Sequence, residues 1–179
     1  MKKEILLSGL LGGIGIFNNG GVGEAVEIAD NVVYFADSKG GLEVIDVSDP
    51  AAPRLVATVP ETAGAWDIFI DTSKEFQELY VGCHGNGIFI VRIGSDGKYH
   101  ILGHFDDGGE SLGVWFDNSS LFVADNFEFE ILNVVEPQKP KIIVKITNLN
   151  GLHDLFVEGK YIFLADGSKG LIILEYNVQ

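Results

Sequence analysis

The sequence predicts an all-β fold, a four-bladed β-propeller of four-stranded antiparallel blades, and three observations predict it. Val, Ile, Phe and Tyr are abundant while Met, Gln and Arg are sparse, and the 23 glycines among 179 residues suit many tight turns rather than long helices. One pattern recurs four times, as VVYFADSKGGLEVIDV, LYVGCHGNGIFIVRI, LFVADNFEFEILNV and YIFLADGSKGLIILEY. Finally, the two ends of the chain complement each other as parts of one repeat.

Each recurring segment reads as an apolar strand ending in a small residue and a turn residue, then a short loop and a second apolar strand. The small residues are Ala36, Gly82, Ala124 and Ala165, spaced 46, 42 and 41 apart. That is the length of a propeller blade and shows no helical period. After the hairpins come SDPAAPRLVATV, SDGKYHILGHF and EPQKPKIIVKI, each a turn and a further strand. The inner strands follow in AGAWDIFI, GGESLGVWF and NGLHDLFV, entered through glycine-bearing connections. Four strands per repeat, inner to outer, make one blade.

The last repeat ends after its third strand, GLIILEYNV, and the chain starts with Lys3-Glu4-Ile5-Leu6-Leu7-Ser8-Gly9, which matches the fourth-strand segments. The expectation is one domain over 1–179, its ring closed by the N-terminal strand completing the last blade. Such pairing hides two open sheet edges. The alternative is half of an eight-bladed ring, formed when two chains exchange these strands. A monomer is expected and a homodimer is the alternative. The same start resembles a signal peptide, but Glu4 interrupts its basic region and glycines dilute its apolar one.

The repeat in ADSKGGLEVIDVSDPAAPRLVATV resembles the LVIVD-repeat family of bacteria and archaea: small-Asp, glycine, an apolar strand ending Ile-Asp-Val, then Ser-Asp-Pro and a further proline. Ala36–Val59 follows it almost throughout, and Ala165-Asp166-Gly167 to Leu174 follows its first half. The third copy keeps Ala124-Asp125 and Pro137/Pro140, and the second departs most, with Gly82-Cys83 for Ala-Asp. The resemblance implies a propeller, and a cell-surface location as the alternative to the cytoplasmic one expected if Met1 is the native start. It implies nothing about chemistry.

Charge and cysteine content bound the partners. A net charge of -14 disfavours phosphate backbones, so no nucleic-acid partner is expected. Cys83 is the only cysteine, so no intrachain disulfide can form. No stretch is long and apolar enough to span a membrane.

Inner-strand starts and the loops before them surround a propeller's axis. There the sequence offers Glu24 and Glu27, Trp66-Asp67, Glu110-Ser111 and His153-Asp154, with Asn18-Asn19, Glu61, Asp106 and Asp107 in the approach loops. Converging, they make an acidic funnel with one imidazole and one indole. Such a funnel suits a cationic group against Trp66, or Ca²⁺ held by carboxylates and carbonyls. A structural role competes, because Asp in loops commonly caps turns through backbone amides. No cofactor is expected apart from that Ca²⁺ alternative.

Other motifs carry less. Cys83-His84 are neighbours that a strand points to opposite faces, and Cys83 stands where other copies have Asp. His100 and His104 fall on the same face of a strand, about 13 Å apart, too far to share a metal. The run GLLGGIGIFNNGGVG fits neither G-x-G-x-x-G nor a P-loop. The reading is a non-catalytic interaction propeller that presents its loop face and acidic funnel to a protein, peptide or glycan. The alternative is a metal-dependent binder or enzyme using the same cluster.

Overall fold

A computed structural model describes residues 13–73, 76–94 and 98–176. In chain order the first blade is β1 (Gly23–Ala29), β2 (Val32–Asp37), β3 (Gly41–Asp46) and β4 (Arg54–Val59). The second is β5 (Asp67–Asp71), β6 (Glu78–Gly82), β7 (Ile88–Ile93) and β8 (Tyr99–Phe105). The third is β9 (Ser111–Asp117), β10 (Ser120–Asp125), β11 (Glu128–Asn133) and β12 (Lys141–Ile146), and the fourth is β13 (Leu152–Glu158), β14 (Tyr161–Asp166) and β15 (Gly170–Glu175). Each sheet is an antiparallel meander whose strand order follows the chain. The four-bladed propeller is therefore as the sequence predicts. The closing strand expected at Lys3–Gly9 and the turn at Ser95-Asp96-Gly97 lie outside the described residues.

Both faces of every blade are apolar, and strand alternation sorts the residues between them. We call the face toward the next blade in sequence the forward face, and its opposite the backward face. The register makes Tyr34, Leu42 and Val44 of the first blade equivalent to Tyr80, Ile88 and Ile90 of the second and Phe122, Phe129 and Ile131 of the third. These forward residues are all buried against the backward face that follows, giving one apolar core at each of the three blade junctions. At the second junction Tyr80 stacks on Phe116 with ring centroids 4.4 Å apart. Sheets of this size depend on such packing, because alone they bury too little.

Two irregularities recur. In every complete blade the outer strand carries a bulge one residue long, at Val56, Leu102 and Ile143. The bulge at Leu102 corrects one expectation. His104 pairs with Phe89 and His100 with Arg92, so the extra residue turns the two imidazoles to opposite faces of β8 rather than one. In the first, third and fourth blades the inner strand also shifts register at its start, leaving Glu24, Leu112 and His153 as the extra residues.

The small-Asp element of the repeat ties each hairpin to the loop that feeds its blade. Asp37 is fully buried and accepts bonds from the amides of Val22 (3.1 Å), Lys39 (2.8 Å) and Gly40 (3.0 Å). Asp166 does the same for Asn150, Ser168 and Lys169, and Asp125 accepts from Glu110 N at 2.6 Å. Burial raises the Asp37 carboxyl, but its three amide donors and Asn19 outweigh that and leave it below the ordinary value of 3.8. Its stabilising contribution is therefore present above the unfolded value and is lost as pH falls through the folded one. Asp37→Ala should cost ~1–3 kcal/mol in urea unfolding at neutral pH, because it strands buried amides. Asp37→Asn should cost less, and its deficit should shrink as pH falls from the unfolded value of 3.8 through the lower folded one.

Candidate functional site

The mouth of the blade ring is formed by the inner-strand starts. Cys83 occupies the structural position of Asp37, Asp125 and Asp166 in the second blade. It is buried, with Sγ 3.4 Å from the Thr62 carbonyl, and burial pushes its thiol up to about 12. A thiol so placed is a poor nucleophile at neutral pH. His84 leaves Cys83 in the left-handed region (φ 48°) and turns outward, so the pair is no dyad, in line with the sequence reading.

What His84 does instead was not legible. Its ring packs against Trp66, with centroids 5.7 Å apart, and its Nε2 lies 3.9 Å from Glu110 Oε1. Backbone bonds between His84 and Ser111, 3.1 and 3.2 Å long, bring the second blade's turn to the start of β9. The other Glu110 oxygen accepts from Asn126 Nδ2 at 2.6 Å. An exposed indole, an imidazole and a carboxylate thus share one ledge between the second and third blades.

Deeper, Asp67, Gly113 and Asp154 hold equivalent positions on β5, β9 and β13, opposite Gly82, Ala124 and Ala165. At Gly113 a Cβ would come 3.2 Å from Asp154 Cα, a tight contact where β9 and β13 converge. Asp67 accepts from Val114 N at 2.8 Å. Burial, reinforced by the charges of Asp154 and Glu27, raises its carboxyl to about 6 despite that bond. Burial also raises Glu27. Three acids, Asp67, Asp154 and Glu27, therefore converge on the axis, all of them among the residues the sequence offers there.

The remaining predicted residues are more scattered. Glu24 and His153 are exposed, each at the irregular first turn of its inner strand, and Trp66 stands at the corresponding place before β5. Asp107 is drawn away from the mouth to a group with Glu128 and Glu130, whose carboxylate oxygens lie within 4.8 Å of one another. Lys145 reaches all three, at 2.6 Å from Asp107 and 2.8 Å from buried Glu130. Burial raises Glu130 to about 7 against the pull of that ammonium.

The LVIVD repeat family matches residues 20–60 and 152–175, the first blade and the three strands of the fourth. Two of the four blades thus match the LVIVD repeat. No curated protein matches the chain. Among solved structures, this chain is similar to the computationally designed Ika4 protein, with TM-score 0.68 and 8% identity over 93% of this chain and 99% of that one. It is also similar to the Cps50 (Swd1) β-propeller domain of Myceliophteria thermophila, with TM-score 0.71 and 12% identity over 88% and 55%. The computationally designed Ika8 protein aligns at TM-score 0.62 and 8% identity over 86% and 45%. This chain thus spans about half the length of the last two. These likenesses show the fold alone.

Asp67 carries a testable consequence. Its folded value lies above the unfolded 3.8, so it favours folding below that value, and this preference is lost as pH rises through about 6. Asp67→Asn keeps an acceptor for Val114 N without the buried charge. Thermal melts should show the variant gaining on wild type between pH 4 and 7, by on the order of 2–3 kcal/mol, with a constant difference at higher pH.

Proposed function

We propose that this propeller is a non-catalytic binding module whose loop face receives a protein, peptide or glycan, with basic peptide segments the best match. The observation behind this reading is the exposed Trp66–His84 ledge beside Glu110, next to an axis lined by Asp67, Asp154 and Glu27. An aromatic face with carboxylates around it attracts a lysine or arginine side chain by cation–π and charge interactions. The buried Cys83 and outward His84 supply no activated nucleophile.

The test is isothermal titration calorimetry, using lysine- and arginine-containing decapeptides and, separately, neutral oligosaccharides. Saturable binding weakened about tenfold or more, ~1.4 kcal/mol, in both Trp66→Ala and Glu110→Gln supports the ledge. Binding that survives both substitutions, or no saturable response to either probe, overturns it.

The cation alternative draws on a different observation, the three carboxylates around Lys145. There the lysine itself neutralises the acids. Lys145→Met should destabilise the fold by on the order of 2–3 kcal/mol at neutral pH. That is less than the ~3–5 of a fully buried pair, because 32% of the lysine side chain is exposed. Ca²⁺ should then raise the melting temperature of the variant and leave wild type unmoved; a Ca²⁺ shift in wild type would favour the metal-dependent reading.

A further inference from the structure

The three blade junctions bury equivalent positions, and at the two ends of the series those positions lie bare. Leu171 on β15 is 67% exposed, while its counterparts Leu42, Ile88 and Phe129 are each 1% or less. Ile173 is 56% exposed, where Val44, Ile90 and Ile131 are buried. These belong to the forward face of the fourth blade. On the backward face of the first, Val26 is 62% and Ile28 60% exposed, although the equivalents of Val26 on the later inner strands, Ile68, Val114 and Leu155, are buried.

The two bare faces are complementary halves of one junction type. Within the described residues of one chain they do not meet. β1 packs on β5, β5 on β9 and β9 on β13, but no contact of comparable extent joins β13 to β1, and no apolar cluster spans the first and fourth blades. The outer part of the first blade's backward face is already occupied. Gly15 passes so close to the Pro50 carbonyl that a Cβ would come within 1.9 Å of it, and Phe17 lines the same hollow with Val33, Phe35 and Ile45. The inner part left open suits a blade with three strands rather than four, and among the described residues the fourth blade shows three.

We propose that two copies of this chain pack head to tail. The forward face of each fourth blade meets the backward face of the other copy's first blade, completing one eight-bladed ring. A heterologous contact that closes after two copies leaves neither face exposed, whereas apolar sheet faces of this kind are otherwise aggregation-prone. The overlay of these four blades on about half of the longer Swd1 propeller domain fits a curvature that needs more than four blades to close. The occupant is a second copy of this chain because the faces match the internal junctions of the chain itself.

Light scattering coupled to size exclusion, over a dilution series, tests this directly. The expected mass of the full chain is twice 19.4 kDa. Leu171→Glu/Ile173→Glu and, separately, Val26→Glu should each shift the species toward monomer and weaken the dimer at least tenfold. Circular dichroism checks that each variant is folded, which is expected because the altered side chains are exposed within one chain. A wild-type mass of 19.4 kDa at every concentration overturns the proposal in favour of closure within one chain. A trimer or larger species overturns the two-copy ring. A dimer unaffected by Val26→Glu overturns head-to-tail packing, since two fourth blades facing each other would not use that residue.

Discussion

Every blade in this protein must be covered on both sides, and that requirement organises the rest. A four-stranded sheet with Leu42 and Val44 on one face and Val33 and Ile45 on the other has no solvent side to spare. The alternation of strands gives each blade a forward and a backward surface of different residues. Successive blades must therefore stack in one sense around an axis. The inner strands converge at that axis closely enough that a Cβ at Gly113 would come 3.2 Å from Asp154 Cα. The bulge repeated on each outer strand adds local twist where the blades fan apart. Nothing in the scheme sets the number of blades except how the first and last faces are satisfied.

Within this frame the aspartates of the repeat act as fasteners. Asp37, Asp125 and Asp166 sit at the hinge between a blade's central hairpin and the loop that delivers its inner strand. Their carboxylates satisfy amides that no strand partner reaches, which explains burial of charge at each of these positions. The second blade substitutes Cys83 and holds the same junction differently, through the His84–Ser111 bridge and the bond from Asn86 Nδ2 to the Ala63 carbonyl, 2.7 Å long. That exchange frees His84 to point outward beside Trp66. A lapse in the repeat and the most chemically varied ledge of the mouth therefore coincide.

The blades were legible because their signals are local: strand alternation, turn residues and a repeat length of about 40–50 residues all lie within single windows of sequence. Asp67 and Asp154 were legible as axial residues from their place at inner-strand starts. The partnership of His84 with Trp66 and Glu110 was not, because it depends on a left-handed turn and a bridge between two blades. The same holds for Lys145, which gathers Asp107, Glu128 and Glu130 from a loop and a strand and removes Asp107 from the funnel. His100 and His104 were misassigned to one face for a related reason, since a one-residue bulge leaves no mark in an apolar run. Local pattern shows the elements, and contacts between elements decide which side chains meet.

The irregular first turn of the inner strand explains why recognition would concentrate there. The corresponding places hold Glu24, Trp66 and His153, all exposed, and Leu112, which is buried. The neighbouring positions, by contrast, are fixed by packing or by the aspartate tie. Where that side chain is exposed, as in the first, second and fourth blades, the fold does not specify it and it is free to serve a ligand. The size of that opening depends on the blade count. One chain alone offers a single Trp66 ledge and one set of axial acids, whereas a ring of two copies would carry two of each around a wider channel. Partner binding and assembly would then be coupled, because a ligand spanning both ledges stabilises only the completed ring.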